Sequence, residues 1–169
     1  ENNTILIHVG KSGGSTFKKA IIERDKKLPF SIIHIRSAVF RKKFQYIIII
    51  RGPISRAISA FYWRYKLVVQ TEEQRNRFPG EYDVLKKYHS LNNIAENLYD
   101  DKGNKNSLVI SEINKIHHLR ENIYYYLGNF MKSCPPENII CVLTQENLEE
   151  DMLKYFNIKN ASKEKYNPK

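Results

Sequence analysis

The chain has 169 residues, with 28 Lys and Arg against 18 Asp and Glu for a net charge of +10. That length suits one domain with a real core, and the positive excess points to an anionic partner: a nucleotide, an acidic glycan, a nucleic acid or a membrane surface. Two cysteines are too few for a disulfide framework, and no stretch approaches the roughly 20 apolar residues that a membrane-spanning helix requires.

Cys141 falls in an apolar run that reads as a buried strand, so a reducing, cytoplasmic compartment is the simpler expectation. No signal-peptide pattern opens the chain, while the missing initial methionine leaves room for a trimmed leader or Golgi-type anchor on a longer parent.

Thr4-Ile5-Leu6-Ile7-His8-Val9 predicts a first strand, followed by Gly10-Lys11-Ser12-Gly13-Gly14-Ser15-Thr16-Phe17 and a helix through Arg24 with Phe17, Ala20 and Ile21 at helical spacing. Glycines let successive N–H groups converge, the helix N-terminus adds partial positive charge and a lysine supplies a full one; this is an anion cradle. Gly10-Lys11-Ser12 looks like the tail of G-x-x-x-x-G-K-[ST], but the first glycine of that motif would fall on Ile5. Here the lysine precedes the glycine turn instead of following it. His8, within the strand, is placed to brace the loop.

Phe30 to Ile35 reads as a second strand, with His34 near its C-terminal end, the edge where open α/β sheets place ligands. Phe44 to Ile50 is the clearest strand, apolar on both faces as a central parallel strand should be. It runs into Arg51-Gly52-Pro53, where Pro53 suits a first helical turn and Ile54, Ile58, Phe61 and Tyr65 repeat at helical intervals. Arg51 thus ends a strand, and Ser59, eight residues on, lies two turns into the next helix.

Residues 71–111 are polar and aromatic, with turns at Phe78-Pro79-Gly80 and Asp100 to Asn104 and short helices expected around Tyr82–Tyr88 and Leu91–Leu98. Such an insert commonly shapes an acceptor pocket on an α/β scaffold. One or two helices follow over Ile113 to Phe130, with His117, His118 and Arg120 between their apolar positions. Pro135-Pro136 breaks the pattern; 138–156 then reads as a last strand and a helix opened by Gln145-Glu146-Asn147-Leu148.

Two motifs carry a resemblance. Lys11-Ser12-Gly13-Gly14-Ser15-Thr16 after a strand resembles the 5′-phosphosulfate loop of sulfotransferases that use 3′-phosphoadenosine 5′-phosphosulfate (PAPS), commonly K-[TS]-[GA]-[GS]-[ST]-[ST]. Strand–Arg51-x-Pro53-x-x-Arg56-x-x-Ser59-x-x-Tyr62 closely resembles the 3′-phosphate site of the same family, except that Gly52 stands where the family usually has Asp or Asn. The 145–148 segment is weakly similar to the family's late "YEDL" region. The likeness covers mainly residues 4–62, with weaker support at 113–156.

This resemblance implies a single α/β domain over 1–169 with a central parallel sheet of about four or five strands flanked by helices, the P-loop-like sulfotransferase fold. It implies sulfuryl transfer from PAPS, the product being adenosine 3′,5′-bisphosphate (PAP), to an acceptor hydroxyl. The carbohydrate branches, Golgi-type or bacterial, are nearest, so the resemblance implies a sugar hydroxyl as acceptor, and the basic surface would suit an acidic glycan. Lys11, Ser12, Gly13, Gly14, Ser15, Thr16 and Phe17 would hold the 5′ end, with Lys11 also neutralising the leaving oxygen, and Arg51 with Ser59 would hold the 3′-phosphate. Arg56 either adds charge or braces its helix. The base would be His34, whose place matches that of the family's base, or His118. A basic loop near the end would close over the nucleotide, here with only Lys163, Lys165 and Lys169 to contribute. No metal is expected: no His, Cys, Asp and Glu spacing resembles a metal site, and this chemistry needs none. The rivals are a P-loop nucleotide kinase and a non-enzymatic nucleic-acid-binding module. The loop order argues against the first, and the second lacks a reader motif.

Overall fold

The computed structural model describes residues 3–24, 31–33 and 37–159. The elements in order are β1 (Thr4–His8), α1 (Gly14–Arg24), β2 (Ser31–Ile33), β3 (Gln45–Ile50), α2 (Pro53–Tyr65), α3 (Glu81–Tyr88), α4 (Leu91–Glu96), α5 (Ser107–Ile113), α6 (Ile123–Ser133), β4 (Ile139–Thr144) and α7 (Leu148–Phe156). A π-helical turn, Lys66–Gln70, prolongs α2, and a 3-10 turn, Pro136–Asn138, precedes β4. The protein is α/β. Among the described residues, no helix is long and apolar enough to cross a membrane.

Packing divides the chain into two compact units, one holding the sheet and the segments up to Pro53 and from Ile123 on, the other Ile54–Asn122. In the first, the strands form a sheet ordered β2-β1-β3-β4, every pair parallel. The period-2 alternation of strand side chains divides the core between the two faces. Leu6, Ile47, Ile49, Cys141 and Leu143 pack with Phe17 and Ile21 of α1 and with Leu148 and Met152 of α7. Ile5, Ile7, Tyr46 and Ile48 pack with Tyr126, Leu127 and Phe130 of α6. The continuous apolar run of β3 follows from burial on both sides: Tyr46 to Ile49 are all buried. On the edge strand β4, Ile140 and Val142 stay 47% and 42% exposed, so β4 keeps the alternation that β3 lacks.

In the second unit, Phe61, Val68, Val84, Leu85, Tyr88, Ile94, Val109 and Ile116 form a core of their own. The 71–111 stretch is therefore built, not an open excursion. It is fastened by Arg64, a charged side chain fully inside, whose Nε and Nη2 donate to the two oxygens of buried Glu81 at 2.9 and 2.7 Å and whose Nη1 donates to Gln74 at 2.6 Å. Burial of such a pair is tolerable because the planar guanidinium meets the carboxylate on both oxygens. Residues 114–120, expected to be helical, form turns; the helical pattern resumes at Ile123.

Candidate functional site

Because every strand is parallel, the C-terminal ends of β1, β3 and β4 share one edge of the sheet. The order β2-β1-β3-β4 means that the chain leaves β1 toward β2 on one side and returns to β3 on the other. That reversal is a topological switch point, where open α/β sheets leave a crevice for ligands. The Lys11 loop follows β1 and Arg51 follows β3, so the two predicted anion-binding cations both lie at that switch point.

Local chemistry explains the loop. Ser12 N–H donates to the Val9 carbonyl at 3.2 Å, closing a turn directly after β1. Lys11 takes φ +66° and Gly13 φ +86°. The glycine adopts this left-handed conformation freely, whereas the lysine bears a cost of about 1–2 kcal/mol. Strain held at one named residue is a common mark of a functional turn. A Cβ on Gly13 would lie 1.6 Å from Gln145 Oε1, and one on Gly14 would lie 2.3 Å from the His8 ring, so a side chain at either position would force its neighbour to shift. His8 thus lies against the loop, as its place in the strand suggests. The helix then starts at Gly14, and the N–H groups of its first turn, Gly14 to Thr16, have no intrahelical acceptor.

The electrostatics suit an anion. Lys11 is half-buried, and burial, followed by the charge of Arg51, lowers its ammonium from 10.5 to about 8. Arg51 Nη1 reaches the Lys11 carbonyl at 3.5 Å, while Arg51 Nε and the hydroxyl of fully buried Ser12 have no hydrogen-bond partner among the described residues. Orphaned buried donors beside a first-turn amide cradle and two cations are a donor set that fits a polyanion such as a nucleotide phosphate.

The other candidates fall as follows. Ser15 is exposed and Thr16 half-buried. Phe17 differs from expectation: its side chain is fully buried and edge-on to Phe156 at 5.4 Å, and its N–H bonds the Gly13 carbonyl, so it supports the loop from the core. Ser59 is half-buried on α2, in the second unit. Arg56 is buried there, its Nη2 3.4 Å from the His118 carbonyl, which favours bracing over a ligand contact. His34, Lys163, Lys165 and Lys169 lie outside the described residues.

His118 belongs to a cluster in the second unit. Its Nδ1 lies 3.3 Å from Glu121 Oε2, and His117 Nε2 lies 3.1 Å from the other oxygen of that buried carboxylate. His117 stacks on Phe78 at 4.2 Å, and burial lowers its affinity for a proton against the pull of Glu121. Among the described residues, His117, His118 and Glu121 are the only His/carboxylate group whose donor atoms converge, within 4.8 Å. Imidazole–carboxylate hydrogen bonds account for both contacts, and the guanidiniums of Arg64 and Arg120 beside His117 disfavour a cation.

Sequence reasoning passed over Gln145 and Glu146 as site residues. Gln145 N–H donates to the Ile50 carbonyl at 2.9 Å, and Glu146 Oε1 accepts from the Gly52 amide at 3.0 Å. At the β3–α2 turn, then, a carboxylate supplied by the β4–α7 turn bonds the backbone amide of Gly52. The only signal was their position directly after a strand on the ligand-bearing edge. No family model matches the chain, and comparison with curated proteins and with solved structures finds no match.

Proposed function

We propose that the protein is a PAPS-dependent sulfotransferase of the P-loop-like sulfotransferase fold, acting on a hydroxyl, most simply a sugar hydroxyl. The observation that carries this reading is the placement of the Lys11 loop and Arg51 at adjacent strand ends, flanking the β1/β3 switch point. Two separately recognised motifs meet there, with Arg51 Nη1 3.5 Å from the Lys11 carbonyl.

The donor supplies an activated sulfuryl group on a phosphosulfate. The chain's part is to position reactants and stabilise charge, as in phosphoryl transfer. The N–H groups of Gly13 to Thr16 would donate to the 5′-phosphate oxygens, and the Lys11 ammonium would offset charge on the departing bridging oxygen. Arg51 offers a planar fork suited to the 3′-phosphate, the group that separates PAPS from ATP. Ser59 keeps the role that the resemblance gives it, a hydroxyl donor to that phosphate, which its own substitution tests. His34 or His118 would take the acceptor proton. The net charge of +10 supports an acidic glycan as acceptor.

The test is calorimetric titration with PAP, ATP-Mg and duplex DNA. Tight binding of PAP that is not matched by ATP-Mg and collapses in Arg51→Ala is the expected outcome; a preference for ATP-Mg or for DNA overturns it.

A further inference from the structure

The β4–α7 turn is tied to the β3 end of the crevice at two successive residues: Gln145 N–H bonds the Ile50 carbonyl at 2.9 Å, and Glu146 Oε1 bonds the Gly52 amide at 3.0 Å. The Gln145 side chain therefore leaves from a fixed point. It runs onto the apex of the Lys11 loop, where its Oε1 fills the space a Gly13 Cβ would take, with Nε2 3.4 Å from the same position. There the half-buried carboxamide makes no hydrogen bond among the described residues. A half-buried primary amide with no protein partner keeps its donors available to a ligand. Two groups at this edge, Ser12 Oγ and Arg51 Nε, are buried with no hydrogen-bond partner among the described residues, and such groups call for an explanation.

We infer that Gln145 is a ligand-binding residue of this site, its carboxamide donating a hydrogen bond to the anionic group held by the Lys11–Thr16 loop. This rests on the reading of the site as a phosphosulfate-nucleotide cradle. The chemistry suits the place: a primary amide adds a donor without adding a third positive charge beside Arg51 and Lys11, whose ammonium is already lowered by burial and then by the charge of Arg51. It also makes the loop dependent on the turn that follows β4, because Gly13 leaves room for the carboxamide only by lacking a side chain.

The experiment titrates PAP into the full chain and into Gln145→Leu, which keeps bulk without donors, and Gln145→Glu, which keeps shape but sets a carboxylate against the anion. The melting temperature of each is measured alongside. Gln145→Leu is expected to bind roughly ten- to a hundredfold more weakly at an unchanged melting temperature, the range for a hydrogen bond to a charged group. Gln145→Glu is expected to bind more weakly still near neutral pH, its ratio to the parent narrowing as the solution is acidified and the new carboxylate takes up a proton. Parent-like binding by Gln145→Leu overturns the inference and leaves the nucleotide reading standing. If Gln145→Leu melts early, Gln145→Glu decides: a ratio that does not change with pH overturns the inference. Absence of PAP binding by the parent chain overturns the nucleotide reading, and the inference with it.

Discussion

Arg64 and Glu81 face each other inside the second unit with both guanidinium edges used, and Glu81 Oε1 also accepts the His117 N–H at 2.9 Å. One carboxylate thus joins α2, α3 and the turn carrying the two histidines. Removing one partner leaves the other charged and dry, which costs about 3–5 kcal/mol, far more than the net worth of the pair. Glu81→Gln is therefore expected to lower unfolding stability by that amount in urea titrations of the full chain. Arg64→Met combined with Glu81→Leu is expected to recover most of it. A single-variant loss below about 1 kcal/mol would contradict this account of the buried pair.

At Gly13 two penalties are stacked, the left-handed φ of +86° and the overlap with Gln145. Gly13→Ala is expected to cost about 1–2 kcal/mol from backbone strain alone, plus whatever displacing the carboxamide adds. Gln145→Ala in the Gly13→Ala background relieves the overlap but not the strain. The double-mutant cycle should therefore show a favourable coupling, read from denaturant midpoints. Additive losses would mean that the carboxamide swings aside freely.

The Lys11 ammonium, lowered to about 8 by burial and then by Arg51, makes anion binding depend on pH in a calculable direction. A bound polyanion favours the charged form and raises this value, so above about pH 8 binding is accompanied by proton uptake and affinity falls as pH rises. Titration of PAP in two buffers of different ionisation enthalpy measures that uptake. Lys11→Arg is expected to bind with no such loss above pH 8, because a guanidinium stays charged. On the proposed function, Lys11→Ala is expected to slow the proposed sulfuryl transfer on the order of a hundredfold, about 3 kcal/mol of barrier.

What was legible in the sequence was whatever local chemistry dictates. The Tyr46–Ile50 run announces a central strand because burial on both faces erases alternation, and the glycines after β1 announce a tight turn, which Gly13 makes with a left-handed φ of +86°. Burial of charge was not legible: nothing in the neighbours of Arg64 or Glu81 reveals a partner 17 positions away. Gln145 was invisible for a related reason. A glutamine after a strand has no motif, and its significance comes from Gly13, which tertiary pairing of β1, β3 and β4 brings beside it. The helical spacing over Ile113 to Leu119 was misleading because Ile116 is buried from a turn, where apolar periodicity carries no helix.

His117 connects stability to acidity. Its imidazole is held below the ordinary 6.5, chiefly by burial and also by the nearby charges of Arg64 and Arg120, against the opposing pull of Glu121 and Glu81. The unfolded chain therefore takes up the proton at a higher pH than the folded one, so stability rises with pH across the interval between the lowered value and 6.5. Acidification through that interval removes the contribution. His117→Phe keeps the stacking on Phe78 and cannot titrate. Urea unfolding between about pH 5 and 7 should accordingly give a shallower fall of stability with acid in the variant than in the parent. Equal slopes would mean that His117 is not a source of the acid sensitivity of this unit.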